Sequence, residues 1–243
     1  MSAISNYLPV DFGWPHACAI GLIFFLWTCY GPILSVFGKG SLNSQLHYVR
    51  MQWFRVHHGV HRQDRVFDAI LLGHISNSVS YFGSATLIVL AGLVGTLVNV
   101  NRIYIAAQDV KFLSAMTSDL FALNFAILTL ILALSFFAFT YALRKMAYTF
   151  ALLGGLEEIP AETAEAIIMS EQAATVLTEA VHSINNGIRG FYYAVASLFL
   201  FGGPYVCMIA TLLITAVLYY RQLSSPTALA IGKYVEALRR ITK

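Results

Sequence analysis

FAILTLILALSFFAF, the stretch Phe125–Phe139, decides the fold of this chain of 243 residues. It contains no charged residue, and its apolar residues do not alternate with polar ones as they would in a membrane β-strand. The charge-free interval around it runs from Leu120 to Leu143. An apolar interval of this length is typical of a helix that crosses a lipid bilayer, because only helices and closed barrels satisfy their backbone groups there.

The composition of the whole chain also indicates that it lies in a lipid bilayer. Hydrophobic residues make up 58% of the sequence, charged residues 11%, and the mean hydropathy is +0.69. A soluble domain carries about 25% charged residues. This composition excludes an ordinary soluble enzyme, a disordered chain and a disulfide scaffold, and it predicts an integral membrane protein. We expect its partners to be membrane lipids and membrane proteins, not nucleic acid.

Three further charge-free intervals are long enough to cross the membrane, at Phe12–Gly38, Ala69–Asn101 and Gly190–Tyr220. The sequence therefore predicts one all-α integral membrane domain over 1–243, a bundle of four transmembrane helices. The predicted span cores are 17–37, 76–98, 121–141 and 192–220. We expect the fourth span to bend at Gly202-Gly203-Pro204, since a proline inside a helix removes a backbone hydrogen bond.

Amphipathic segments outside the spans are predicted to be helical. In the 39–68 segment apolar residues recur every three or four positions, with Ser41 as a suitable N-cap. The 144–190 segment has heptad spacing, with Pro160 suited to a first helical position. The tail over 227–242 has a basic face and an apolar face, which is typical of a helix at a membrane interface or of a docking helix.

Basic residues give a weak prediction of orientation. No Lys or Arg precedes the first span, whereas Lys39, Arg50 and Arg55 follow it, which favours an amino terminus outside the cell. With four spans, however, the basic tail would also lie outside. We expect the protein in the cell inner membrane, as a multi-pass protein.

Ionisable and aromatic side chains near the span ends are the candidate functional residues, because such groups are costly in a membrane unless they have a role. The second span also carries polar residues at helical spacing, which should face the bundle interior or a water-filled path. The candidates for a pore lining or for an anion or lipid contact are Arg50, Trp53, Arg65, Asp68, Arg189, Tyr193 and Arg221, and the polar stripe consists of His74, Asn77, Ser78 and Tyr81.

Four stretches of the chain resemble one known family. They are SLNSQLHYVRMQWF (41–54), RVFDAILLGHISNSVSYFGSATLIVLAGL (65–93), NNGIRGFYYAVASLFLFGGP (185–204) and YYRQLSSP (219–226). Together they resemble the bacterial and plant membrane proteins grouped as domain of unknown function 599, over most of the chain. The resemblance implies a membrane protein without an assigned activity. By position it marks as typical Asn43, Arg50, Trp53, Arg65, Asp68, Ser80, Ser84, Asn186, Gly187, Arg189, Tyr192, Tyr193, Pro204, Arg221 and Ser225.

The sequence contains no P-loop, nucleophile elbow, HExxH or GxGxxG pattern, so we expect no enzyme, no cofactor and no metal. The first functional hypothesis is a homo-oligomeric membrane assembly. Because arginines at the span ends suit an anion path, this assembly is also a candidate anion-conducting pore. The alternative is an accessory or scaffold subunit of a larger membrane complex. A third hypothesis, a haem-bearing redox subunit, would use His74 and His182.

Overall fold

The computed structural model describes residues 9–36, 40–56, 62–108, 116–156 and 163–242. This part of the chain is built from eight α-helices and one short 3₁₀ helix. In chain order they are α1 (Trp14–Val36), α2 (Leu42–Val56), α3 (Arg62–Val98), α4 (Val100–Ala107), α5 (Ser118–Gly155), α6 (Ala164–Leu198), the 3₁₀ helix (Phe199–Gly202), α7 (Pro204–Leu223) and α8 (Pro226–Ile241).

The predicted fold class is confirmed. The described chain is all-α, and four of its stretches are long and apolar enough to cross a membrane: Trp14–Leu34, Val66–Val98, Ser118–Gly155 and Pro204–Ile241. The predicted cores 76–98 and 121–141 lie within α3 and α5. The core 17–37 lies within α1 up to Val36, and residue 37 falls outside the described residues.

The predicted fourth span, 192–220, is wrong as a single bent helix. The α6 helix ends at Leu198, and α7 begins at Pro204 after the 3₁₀ helix. The Tyr193 hydroxyl lies 3.1 Å from the Thr215 hydroxyl, whereas a straight helix would separate these residues by about 33 Å. The Cys207 thiol donates to the Ala196 carbonyl at 3.5 Å. The chain therefore turns back on itself, and α6 and α7 form a helical hairpin.

Glycine and proline at the turn explain the reversal. Gly203 has φ +109° and ψ 159°, a conformation that residues with a side chain rarely adopt. Pro204 then occupies the first position of α7, where its missing N–H needs no helical partner and its fixed φ favours the helix. The same residues that predicted a bend in one helix thus end one helix and begin another.

The chain divides into two compact units, and each is described by itself. Unit 1 comprises Met1–Tyr30, Ala85–Phe136 and Ile188–Val217. In this unit the Phe121 ring contacts the rings of Phe125 and Phe201. Met116 and Phe12 belong to the same hydrophobic cluster, and we call this group the Phe121 cluster.

Two contacts fix the direction of α6 within unit 1. Tyr30 stacks under the Arg189 guanidinium, and Trp27 contacts the Tyr193 ring. The α6 helix thus runs antiparallel to α1, from Tyr30 at the carboxyl end of the unit 1 part of α1 toward the Phe121 cluster.

Unit 2 comprises Gly31–Ser84, Phe137–Gly187 and Leu218–Lys243. Its core includes Phe54 of α2, Leu72 of α3, Met146 of α5 and Leu177 of α6. In this unit α2 packs on α8, and Val235 on the apolar side of α8 is buried. The tail predicted over 227–242 is therefore a helix, and its docking partner includes α2 of the same chain.

Helix starts agree with the predicted caps in one of two places. Ser41 accepts a hydrogen bond from the Ser44 N–H at 3.1 Å, as an N-cap of α2 should. The α6 helix begins after Thr163, whose hydroxyl accepts from the Ala166 N–H at 3.2 Å. Pro160, predicted as a first helical position, lies outside the described residues. The single domain over 1–243 stays a prediction.

Candidate functional site

Three side chains of α2 converge on Thr178 of α6. The Arg50 guanidinium donates from Nη1 to the Thr178 hydroxyl at 3.0 Å and to the Asn43 carbonyl at 3.3 Å. The Asn43 amide donates to the Thr178 carbonyl at 3.0 Å, and His47 Nδ1 shares a hydrogen bond with the Thr178 hydroxyl at 3.1 Å. We call Asn43, His47, Arg50 and Thr178 the Thr178 cluster. It fastens α2 to α6 through polar contacts.

Arg50 is the charged member of this cluster. Burial lowers the pKa of its guanidinium from 12.5 to about 10, so it remains charged at neutral pH. Within the described ranges no carboxylate lies at ion-pair distance from Arg50. Its positive charge is held by a hydroxyl and a carbonyl, which compensate a half-buried cation less well than an anion would. Chemically, the cluster can hold α2 in place and can attract an anion.

Trp53 and Asp68 form the second link from α2. The Trp53 indole N–H donates to Asp68 Oδ1 at 3.0 Å, and the Asp68 side chain is buried. Trp53 also packs beside Phe54, which is 2% exposed in the core of unit 2. Four residues that the resemblance marks as typical thus attach α2 to its neighbours, α6 and α3: Asn43, Arg50, Trp53 and Asp68.

Two other candidates belong to unit 1. The Arg189 guanidinium lies 4.6 Å from the centre of the Tyr30 ring, an arrangement typical of a cation–π contact. Tyr193 is fully buried, against Trp27 and Thr215. Arg221 is exposed in α7. Arg65 lies in α3, but its side chain is outside the described residues. The structure thus distributes the six candidates whose side chains it describes among separate groups.

The polar stripe of α3 does not face the bundle interior, and that part of the prediction is wrong. The helix buries Leu72, Val79 and Thr86, which are seven residues apart and share one side. This packing turns the opposite side outward. Tyr81 is 72% exposed, and the other members of the stripe, His74, Asn77 and Ser78, are exposed as well.

Some of the contacts follow no motif that the sequence analysis used. Thr178 is an isolated threonine next to the core residue Leu177, so nothing in the sequence marks it. Gly190 allows close approach: a Cβ there would lie 1.8 Å from Ser135 Oγ and 2.9 Å from Trp27 Cζ2. The repeated glycines Gly187 and Gly190 could have signalled such tight helix contacts.

Metal or haem binding gains no support from the described residues. Among them, no three His, Cys, Asp or Glu side chains are placed to hold a metal ion. His74 and His182, the pair considered for haem, are both exposed, on α3 and α6. His57, His58 and His61 lie outside the described residues.

Comparison with known proteins assigns the chain to a family but not to an activity. Residues 18–227 match the model of a family described as "Protein of unknown function, DUF599". No curated protein and no solved structure matches the chain.

Proposed function

The chain belongs to the DUF599 family, whose function is unknown, and we propose that it is a non-enzymatic membrane protein that assembles with copies of itself. The surface that joins the copies is the α3 outer face, which contains no charged residue. It comprises His74, Asn77, Ser78, Tyr81, Ser84, Ile88, Gly92 and Gly95, all of them exposed.

The length and exposure of α3 carry this proposal. Its apolar span Val66–Val98 has 33 residues, a length of about 50 Å against a hydrocarbon core of about 30 Å. Even at the largest usual tilt it would project about 38 Å across the bilayer. Only 11% of its most apolar stretch is buried, compared with 39% in α5. Apolar side chains beyond the lipid, such as Phe67 and Ile70, therefore need a protein cover.

Polar groups on the same face favour a protein neighbour over lipid. The Asn77 amide is exposed on this face, and an unpaired amide in hydrocarbon costs several kcal/mol. The Ser78 hydroxyl bonds the His74 carbonyl of its own helix, and such a bond from the Asn77 side chain would still leave the carbonyl of that side chain as a free acceptor. Two copies meeting at this face could pair Asn77 with Asn77, because amides both donate and accept.

Small residues on the face allow the helices to approach. A Cβ added at Gly92 or at Gly95 would meet no atom of the chain within 4 Å. Glycines that point into open space bring no packing benefit within one chain, whereas between two helices they permit close backbone contact. Because the face carries no charge, like faces can meet without repulsion.

The test compares glycine substitutions on two helices. Gly92→Leu with Gly95→Leu fills the α3 outer face without a clash inside the chain. Gly21→Leu is the matched control, since Gly21 is exposed on α1 and also has no atom within 4 Å of an added Cβ. Native mass spectrometry from nanodiscs reports the oligomeric state.

We expect the wild type and Gly21→Leu to be oligomeric and the α3 double variant to be monomeric. A monomeric wild-type protein in native lipids would contradict the proposal, and so would full assembly of the double variant.

Anion conduction stays a prediction that this proposal does not require. Arg50 is engaged by Asn43 and Thr178, Arg189 stacks on Tyr30, and neither lies on the α3 outer face. Chloride flux through liposomes that contain the oligomer tests it directly. Flux that changes in Arg50→Gln or Arg189→Gln would add a pore to the assembly. An intact oligomer without flux would remove the pore and leave a structural role.

The accessory-subunit alternative is separated from self-association by purification. We propose residence in the inner membrane, where mild extraction should recover copies of this chain alone. A second protein present in fixed stoichiometry would instead favour a scaffold role in a larger complex.

A further inference from the structure

We propose that the chain crosses the membrane five times, with the start of α1 outside the cell and with α2, α8 and the Thr178 cluster on the cytoplasmic side. The four long apolar stretches supply four crossings. The fifth is the carboxyl-terminal part of α6 together with the 3₁₀ helix, which has no 18-residue stretch apolar enough to be recognised by composition.

Contacts within unit 1 show that this part of α6 runs along α1 from Tyr30 toward its amino end. Arg189 and Tyr193 contact Tyr30 and Trp27, near the carboxyl end of the unit 1 part of α1. Twelve residues beyond Arg189, the Phe201 ring lies 5.3 Å from the Phe121 ring, in the Phe121 cluster that also contains Phe12. Because Phe12 precedes α1, the segment from 189 to 201 passes from the level of Tyr30 to the amino end of α1.

Burial explains why this crossing segment need not be strongly apolar. Side chains in a membrane must be apolar where they face lipid, whereas those packed inside a bundle can be small or polar. Here the neighbouring helices cover the segment. Tyr193, Ala194, Ala196, Ser197 and Leu200 are all buried.

The return of α7 makes the number of crossings odd. From the turn at Gly203, α7 runs back along α6 until Thr215 reaches Tyr193. The chain then continues into α8, which packs on α2. The Tyr48 hydroxyl of α2 also contacts the Thr242 hydroxyl, and Arg239 lies 5.3 Å from the centre of the Tyr48 ring. The basic tail and α2 are therefore on the same side of the membrane.

Four crossings would place the basic tail outside the cell, whereas five place it on the same side as the other basic connections. Between α3 and α5 the only basic residues are Arg102 and Lys111. The connections on the other side contain twelve of the fifteen Lys and Arg residues, and the remaining one, Arg189, lies at the start of the crossing segment. Cytoplasmic connections are the ones rich in Lys and Arg. The twelve are Lys39, Arg50, Arg55, Arg62, Arg65, Arg144, Lys145, Arg221, Lys233, Arg239, Arg240 and Lys243.

Labelling of single cysteines in intact cells tests the proposal. The background is a chain with Cys18, Cys29 and Cys207 replaced by alanine. Into it we place Val10→Cys or Ala237→Cys, at exposed positions before α1 and in α8. A membrane-impermeant maleimide should label Val10→Cys in intact cells and Ala237→Cys only after permeabilisation.

Glu171→Cys, exposed on α6, is the matched control for the cytoplasmic side and should behave like Ala237→Cys. Labelling of both Val10→Cys and Ala237→Cys on one side would mean an even number of crossings and would overturn the proposal. The opposite pattern, with only Ala237→Cys labelled, would overturn the orientation. If the cysteine-free chain fails to fold, a second experiment uses the chain with its native cysteines and an epitope tag after Lys243. Protease is added to right-side-out vesicles, and digestion of the tag reports the side on which it lies. The tag should be protected, and its removal would refute the proposal.

Discussion

One threonine hydroxyl accounts for much of the attachment of α2. Replacing it in Thr178→Val keeps the shape of the side chain but leaves Arg50 and His47 without this partner. Loss of a hydrogen bond to a half-buried charged group reduces stability by about 1–3 kcal/mol. We therefore expect a lower thermal midpoint for Thr178→Val in detergent, measured by the fluorescence of the tryptophans.

The neighbouring threonine provides the control for this experiment. Thr175 is exposed, and its hydroxyl bonds only the Glu171 carbonyl of its own helix. Thr175→Val should change the free energy of unfolding by no more than about 0.5 kcal/mol, as surface substitutions do, and should leave the midpoint close to that of the wild type. Equal effects of the two substitutions would show that the Thr178 cluster does not stabilise α2.

Asp11 provides a pH-dependent contact in unit 1. Burial alone would raise the pKa of its carboxyl, but hydrogen bonds from the Thr117 hydroxyl at 2.5 Å and the Thr117 N–H at 2.9 Å outweigh it, so the pKa lies below its ordinary value of 3.8. A lowered carboxyl pKa stabilises the fold above the unfolded value, and that contribution disappears as the pH falls through the folded value.

We accordingly expect Asp11→Asn to have a lower thermal midpoint than the wild type at neutral pH. The difference should shrink as the pH falls below 3.8 and should be smallest once the carboxyl is protonated in both the folded and the unfolded state. A midpoint difference that is independent of pH would contradict the contribution of the ionised carboxylate.

At the scale of elements, the helical hairpin of α6 and α7 depends on one backbone conformation. Gly203→Ala forces a side chain into a φ of +109°, which costs about 1–3 kcal/mol. We expect this variant to unfold at lower temperature and to yield less protein in the membrane. Gly202→Ala is the adjacent control, because its Cβ would make ordinary contact with Val206 at 3.9 Å. Equal stability of the two variants would contradict the turn at Gly203.

The sequence predicts an element correctly when a local property of that stretch determines it, and not when contacts between distant residues determine it. The membrane parts of α1, α3 and α5 were predictable, because the cost of a charge in lipid is a local property of the sequence. The hairpin was not, because Gly202-Gly203-Pro204 suits a kink and a reversal equally. Only long-range contacts between the two helices, such as that of Tyr193 with Thr215, distinguish a kink from a reversal.

The candidate site shows the same limit. Arg50, Trp53 and Asp68 were recognisable as candidates because they are ionisable or aromatic and stand near a span. Their partners were not, since a neutral acceptor such as Thr178 carries no sequence signal. For the polar stripe, the reasoning that lipid disfavours amides was sound, but one chain can present such groups outward when another chain covers them.

At the scale of the whole molecule, the α3 outer face is a surface that a single chain leaves uncovered and that assembly would bury. The α3 outer face is too polar for lipid at Asn77, and α3 as a whole is too long and too apolar for water at Phe67. A second copy satisfies both requirements with one contact. We therefore infer that the α3 outer faces of neighbouring copies meet in the native membrane.

Disulfide cross-linking between copies shows whether these faces meet. A chain with its native cysteines replaced by alanine carries either Ser84→Cys on the α3 outer face or Phe25→Cys, a lipid-depth control exposed on α1. Mild oxidation in native membranes should convert Ser84→Cys to a covalent dimer and leave Phe25→Cys monomeric on a non-reducing gel. If Ser84→Cys stays monomeric under conditions in which Phe25→Cys dimerises, the α3 outer face is not where copies of this chain meet.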